Sequence, residues 1–124
     1  MEQPEGFEVK EKEHLVCKLK KSLYGLKQAP RQWYKKFDSF MVDHGYTKTS
    51  ADHCVYFKRQ TNDKFVILLL YVDDMLIIGQ DRSMIDDLKR DLSTSFDMKN
   101  LGLARQILGM QITHDRKAKK IWVS

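Results

Sequence analysis

The sequence predicts an α+β fold, an antiparallel sheet with two helices packed on one face, and three observations predict it. Apolar runs of strand length occur at residues 54–59, 64–71 and 75–78. Two segments, 30–44 and 83–96, carry apolar residues at helical spacing. The resulting order is strand, helix, two or three strands, helix, strands, which gathers the helices against a sheet of neighbouring strands. A chain of 124 residues has enough apolar residues for one core and no room for a second.

Residues 1–13, rich in Glu, Gly and Pro, are expected to form an extended leader, with 14–124 as the organised domain. In Leu15-Val16-Cys17-Lys18-Leu19-Lys20 the odd positions are apolar while Lys18 and Lys20 share the other face, the alternation of a half-buried strand. Pro30 suits a first helical turn, Trp33, Phe37, Phe40 and Met41 recur at helical spacing, and Gly45 can take the left-handed conformation that ends a helix. A helix is therefore predicted over 30–44. The strand-like runs 54–59 and 64–71 join through Thr61-Asn62-Asp63, residues that favour turns. Ser83 with Asp86 three later predicts a capping-box-like helix start, and Ile85, Leu88, Leu92 and Phe96 form one apolar stripe. Short strands at 106–113 and 121–123, with the basic turn 115–120 between them, close the sequence.

Composition excludes several classes. The longest apolar stretch, residues 65–78, contains two aspartates and falls short of the roughly 18 uninterrupted apolar residues that a bilayer span requires. No membrane partner is expected. The N-terminus lacks both the basic-then-apolar order of a secretory signal and the Arg-rich pattern of a transit peptide, which predicts an intracellular chain. Cys17 and Cys54 sit in apolar strand-like runs and are expected to be small buried hydrophobes rather than a disulfide. His14 and Cys17, and His53 and Cys54, lack the ligand spacing of closed zinc sites.

The net charge of +5 is unevenly distributed. Between His14 and Phe37 stand Lys18, Lys20, Lys21, Lys27, Arg31, Lys35 and Lys36 with no acidic residue, and Tyr24, Trp33 and Tyr34 are interleaved. That is the footprint of a nucleic-acid surface. From charge alone an ordinary solvated face reads the same way.

The most informative segment joins two apolar strands through Tyr71-Val72-Asp73-Asp74. Adjacent ionised carboxylates at the tip of so apolar a hairpin repel unless a divalent cation neutralises them, and oxygen ligands of this kind suit magnesium or manganese. In phosphoryl transfer a metal pair about 3.5–4 Å apart stabilises the attacking and leaving oxygens. Such a site needs carboxylates from more than one strand, so the hairpin supplies only part of it. Aspartate is also an ordinary turn former, and a bare Asp-Asp pair does not decide between these readings.

The flanks do. Tyr-Val-Asp-Asp, preceded by an aliphatic strand and followed by Met75-Leu76-Ile77, resembles the catalytic turn of reverse transcriptases. Met1-Glu2-Gln3-Pro4-Glu5-Gly6-Phe7, the segment Cys17-Lys18-Leu19-Lys20-Lys21-Ser22-Leu23-Tyr24-Gly25-Leu26-Lys27-Gln28-Ala29-Pro30-Arg31-Gln32-Trp33, and Ile107-Leu108-Gly109-Met110 extend the likeness to the copia-type retrotransposon family over essentially the whole chain. The resemblance implies a partial, ferredoxin-like palm. It implies that Asp73 binds Mg2+ (or Mn2+), that Asp74 assists electrostatically as part of the catalytic and metal site, and that Tyr71 and Val72 face the primer terminus. It also implies that Tyr24, Gly25, Lys27, Gln28 and Arg31 lie against template and incoming nucleotide, and that residues 107–112, with Gly109 and Met110, support the primer. Gly25 would let backbone approach a ligand closely, or simply form a turn before the helix.

The implied activity is RNA-directed DNA polymerisation by the parent Pol polyprotein. Its partners would be an RNA or DNA template with a DNA primer, deoxynucleoside triphosphates and the remaining Pol domains, in a cytoplasmic particle or the nucleus. The family's first catalytic aspartate lies upstream of the Met-Glu-Gln-Pro segment, so the isolated chain is expected to hold an incomplete metal site and to be inactive. Asn100 stands where the family usually has Asp, with little consequence expected. The alternatives are a non-catalytic nucleic-acid-binding module and a functionless transposon remnant. Lys64-Phe65-Val66-Ile67 lacks the glycine and spaced aromatics of an RRM stacking strand. Too little chain follows Asp74 for a phosphorylated receiver domain.

Overall fold

The computed structural model describes all 124 residues. In order they form α1 (Ala29–Asp43), β1 (Thr47–Lys48), β2 (Val55–Arg59), β3 (Phe65–Tyr71), β4 (Asp74–Gly79), α2 (Arg82–Ser95), β5 (Gln106–Ile107), β6 (Met110–Asp115) and β7 (Lys120–Val123). The chain divides into two compact units, Met1–Phe40 and Met41–Ser124. No helix is long and apolar enough to cross a membrane.

Ahead of α1 the first unit consists of turns and irregular chain. Gln3 organises its start: the side-chain amide donates to the carbonyls of Lys12 at 2.7 Å and Leu15 at 2.8 Å, and its oxygen accepts the Val9 N–H at 2.9 Å. The strand expected at 15–20 does not form. Cys17 donates its N–H to the Met1 carbonyl at 2.8 Å, but no strand runs alongside the rest of the segment, and alternation without a partner leaves Leu15, Val16 and Leu19 exposed. Cys17 and Cys54 are free and exposed rather than buried, because each sits in a loop outside the strands. Toward the unit's end α1 stacks Trp33 on Phe37, one turn apart, with ring centroids 5.3 Å apart.

The second unit opens with the end of α1. Gly45 at φ +79 allows Tyr46 to donate to the Met41 carbonyl and Gly45 to the Val42 carbonyl, both at 2.9 Å. This paired reversal is the Schellman stop, which satisfies carbonyls that the helix leaves open.

Four strands then form an antiparallel sheet in the order β1-β2-β3-β4. Along β3, Val66, Leu68 and Leu70 are buried while Phe65, Ile67 and Leu69 are half-buried. The core is therefore one-sided, built on Val66, Leu68, Leu70 and the cross-strand neighbour Tyr56, with Leu88 and Leu92 of α2 also buried. The second face of the sheet stays partly open, with Phe57 39% and Ile78 44% exposed. β4 has β3 on one side and an unpaired edge on the other.

Helix α2 starts one residue before the expected Ser83, because Asp81 is its cap: its carboxylate accepts the Ser83 N–H at 2.9 Å. β5, β6 and β7 form a separate three-stranded antiparallel sheet. The α+β class with two helices and antiparallel pairing is the one expected, but the strands divide between two sheets.

Candidate active site

The hairpin of β3 and β4 is held by six successive pairs, from Val66 with Gly79 to Tyr71 with Asp74. That register leaves Val72 and Asp73 as a two-residue loop. A one-residue slip would turn every core side chain of β3 to the wrong face, so the position of the tip is fixed by the buried side chains behind it.

Val72 has φ +50 while Asp73 is not among the positive-φ residues. A positive φ at the first central position alone is the pattern of a type II′ turn, which favours glycine there. A β-branched residue in this region is strained, at a cost of about 1–3 kcal/mol, and persists only where its surroundings over-determine it. Here the apolar ladder does so.

The turn thus presents Tyr71, Val72, Asp73 and Asp74 together, all exposed. Neither carboxylate has a hydrogen-bond or ion-pair partner in the chain. Other acids do: Asp86 pairs with Arg82 at 3.5 Å and Asp87 with Arg90 at 3.0 Å. Two uncommitted, adjacent carboxylates suit a hard divalent cation such as magnesium or manganese. No group of three or more His, Cys, Asp or Glu side chains that could hold a metal ion forms in the chain.

The residues expected to face template and nucleotide lie in the first unit. Tyr24 is 96% exposed. Gly25 has φ +91 in a turn closed by the Leu26 N–H on the Leu23 carbonyl, and a Cβ there would meet nothing within 4 Å. The glycine is thus required by the turn's backbone conformation alone. A second turn, from the Ala29 N–H to the Leu26 carbonyl, leads into α1, whose first backbone bond runs from the Gln32 N–H to the Gln28 carbonyl. Lys27, Gln28 and Arg31 are all exposed around this helix entrance.

Gly109 and Met110 belong to the second sheet. Ile107 pairs with Met110, and the intervening Leu108 and Gly109 have φ +52 and +77, the two left-handed residues of a type I′ hairpin. As at Val72, an apolar residue occupies a conformation usually given to Asn or Gly. Asn100 closes a local turn by accepting the Gly102 N–H at 2.9 Å, a bond that an Asp carboxylate could equally accept.

Lys64 has a role that its sequence context does not signal. Its ammonium donates to Asp81 at 2.7 Å, tying the residue before β3 to the cap of α2. The only signal was an N-cap residue type at 81, overshadowed by Ser83.

Comparison with known proteins adds a family match. The model of a family described as reverse transcriptase (RNA-dependent DNA polymerase) matches residues 1–123. A retrovirus-related Pol polyprotein from transposon TNT 1-94 of Nicotiana tabacum is 67% identical over the whole chain. The corresponding polyprotein from transposon RE1 of Arabidopsis thaliana is 38% identical over 90% of it. A putative transposon Ty5-1 protein of Saccharomyces cerevisiae is 32% identical over 90% of the chain and matches across 36% of its own length. The chain spans only 9% of the tobacco polyprotein and 8% of the Arabidopsis one. No solved structure matches it.

Proposed function

The chain belongs to the reverse transcriptase (RNA-dependent DNA polymerase) family, in its copia-type transposon branch, and from that premise we propose that it supplies the catalytic turn of a Pol polyprotein polymerase. The observation that carries this reading is the strained two-residue turn that leaves Asp73 and Asp74 exposed and uncommitted between two apolar strands.

In the proposed reaction the primer's 3′ hydroxyl gives up its proton to solvent as its oxygen bonds to the α-phosphorus of a deoxynucleoside triphosphate, and pyrophosphate leaves with the electrons of the broken P–O bond. Asp73 would hold the divalent metal and Asp74 would add negative charge beside it. Bound there, Mg2+ or Mn2+ would stabilise the attacking and leaving oxygens. Tyr71 and Val72 seat the primer terminus, and Gly109 and Met110 support the primer strand. Tyr24, Gly25, Lys27, Gln28 and Arg31 contact the template and the incoming nucleotide, the cations neutralising phosphate without reading bases.

The remainder of the Pol polyprotein is the proposed structural partner. The open edge of β4 and the exposed Phe57 and Ile78 on the second face of the sheet fit a fold completed by further protein. The site of action is intracellular, a cytoplasmic particle or the nucleus. The test is primer extension on an RNA template by a longer Pol protein containing these residues. Magnesium-dependent extension that is lost in Asp73→Asn is expected. Activity surviving that substitution would refute the assignment of Asp73 as a metal ligand.

A further inference from the structure

We propose that the β6–β7 hairpin is a surface for single-stranded nucleic acid, its tip holding phosphates and Trp122 stacking on a base. Asp115 pairs with Lys120 where the two strands meet. Arg116, Lys117, Lys119 and Lys120 crowd into this tip, and all four are exposed. None of them forms an ion pair within the chain. The one acid, Asp115, serves the turn by accepting the Ala118 N–H at 2.9 Å. Four exposed cations at the end of one hairpin, none of them paired with an acid, make a concentrated phosphate-binding point.

The strand alternation sets what stands behind that point. Thr113 pairs with Trp122 and Asp115 with Lys120, so these four share one face. The same face continues through Ser124 and Gln111, which exchange backbone hydrogen bonds at 2.7 and 3.1 Å, to Gln106. Trp122 is the only large apolar side chain in this polar row, and it is 59% exposed. The Lys120 ammonium lies 5.9 Å from its ring centroid. Beyond it opens a shallow cavity of about 500 Å³ lined by Arg105, Gln106, Gly109, Gln111 and Ser124. An indole held in water beside cations and amides contributes nothing to a core. It is the kind of platform on which an unpaired base stacks, and a duplex, whose base faces are already covered, cannot use it.

This surface is distinct from the basic segment 14–37. The inference rests on the polymerase reading only for the origin of the strand, template or primer. Its test is binding of fluorescein-labelled oligo-dT and oligo-U, about twelve nucleotides long, to the 124-residue chain, followed by anisotropy over a range of salt. Trp122→Ala should weaken binding about tenfold, and Trp122→Tyr, which keeps an aromatic face, should restore most of it. Arg116→Gln, Lys117→Gln and Lys119→Gln together should lower the slope of log affinity against log salt by about 2, at roughly 0.7 per phosphate contact on a single strand. Circular dichroism of each variant separates lost binding from lost fold.

Failure of the unaltered chain to bind either oligonucleotide would overturn the inference, as would unchanged binding by Trp122→Ala and the triple variant. Equal dependence on Trp122 with duplex DNA would overturn the stacking role, and equally tight binding to vesicles of anionic phospholipid would make the surface a general anion site. Lys27→Ala, Arg31→Ala and Lys35→Ala combined serve as the parallel arm. Loss of binding there with the hairpin variants unaffected would sink this inference and leave the proposed function standing.

Discussion

Lys64 and Asp81 clasp the base of the β3–β4 hairpin, at the end opposite Asp73 and Asp74. The Lys64 ammonium lies 2.7 Å from one Asp81 oxygen, while the other accepts the Ser83 N–H at 2.9 Å and the Ser83 hydroxyl at 2.8 Å. One carboxylate therefore closes the hairpin and caps α2. The Lys64 hydrogen bond, followed by those from Ser83, holds the Asp81 carboxyl down to about 2. A carboxyl depressed in the folded state contributes stability above its unfolded value of roughly 3.9, and that contribution is lost as pH falls through about 2. Lys64→Met should move the Asp81 titration upward and shift acid unfolding to higher pH. Carboxyl-carbon NMR reads the first and circular dichroism the second. An Asp81 that titrates at the ordinary carboxylate value in the unaltered chain would refute the clasp.

The second prediction concerns Gly79, a point where α2 and the hairpin pack closely. A Cβ on Gly79 would lie 3.1 Å from Val66 Cγ2, 3.2 Å from Ile85 Cγ1 and 3.3 Å from the Phe65 carbonyl oxygen. Side chains can shift slightly, but the carbonyl is fixed in the sheet. Gly79→Ala should therefore destabilise the chain by about 1–3 kcal/mol through overpacking, read from the urea midpoint at constant m-value. Unchanged stability would show that α2 can move off the sheet at no cost.

Much of the fold was legible because it is written in local pattern. The β3–β4 hairpin follows from an apolar run broken only at 73–74, and α1 and α2 follow from helical spacing. What failed depended on tertiary partners. The alternation at 15–20 has a strand's pattern but no neighbouring strand, and Cys54 falls just before β2, in the loop where Asp52 accepts its N–H at 2.8 Å. Asp81 outcompetes Ser83 as cap because its carboxylate can also take the Lys64 ammonium, a contact 17 residues away in sequence. For the candidate site, residue identity pointed to Asp73 and Asp74, but not to the strain at Val72. The signal lay in the conflict itself, a β-branched residue in a two-residue turn that ordinarily takes glycine.

That conflict can be tested. Val72→Gly gives the positive-φ position a residue that adopts it freely, so relief of about 1–3 kcal/mol of strain offsets the added entropy of a more flexible unfolded chain. The thermal midpoint should hold or rise, whereas an ordinary Val→Gly change in a strand lowers it. In the longer polymerase the same substitution removes the side chain proposed to seat the primer terminus, so KM for primer should rise. A large stability loss would mean that Val72 is not strained in the folded chain.

The final prediction concerns the isolated chain and comes from counting donors. A two-metal site must surround both ions and align the primer's hydroxyl with the α-phosphorus. Asp73 and Asp74 project from a single hairpin tip, and no group of three or more metal-ligating side chains includes them. The three acids that follow first in the chain are already engaged. Asp81 is bound by Lys64 and Ser83, while Asp86 and Asp87 pair with arginines along α2. Tyr46, raised to about 12 by its burial and then by the nearby Asp91 and Asp87, stays protonated at neutral pH and offers no anionic oxygen in their place. The purified 124-residue chain should therefore bind nucleic acid yet extend no primer, with magnesium or with manganese. A longer Pol protein that contributes a carboxylate from another strand should extend it. Robust incorporation by residues 1–124 alone would show that two carboxylates on one turn suffice, and the donor-counting argument would fall with it.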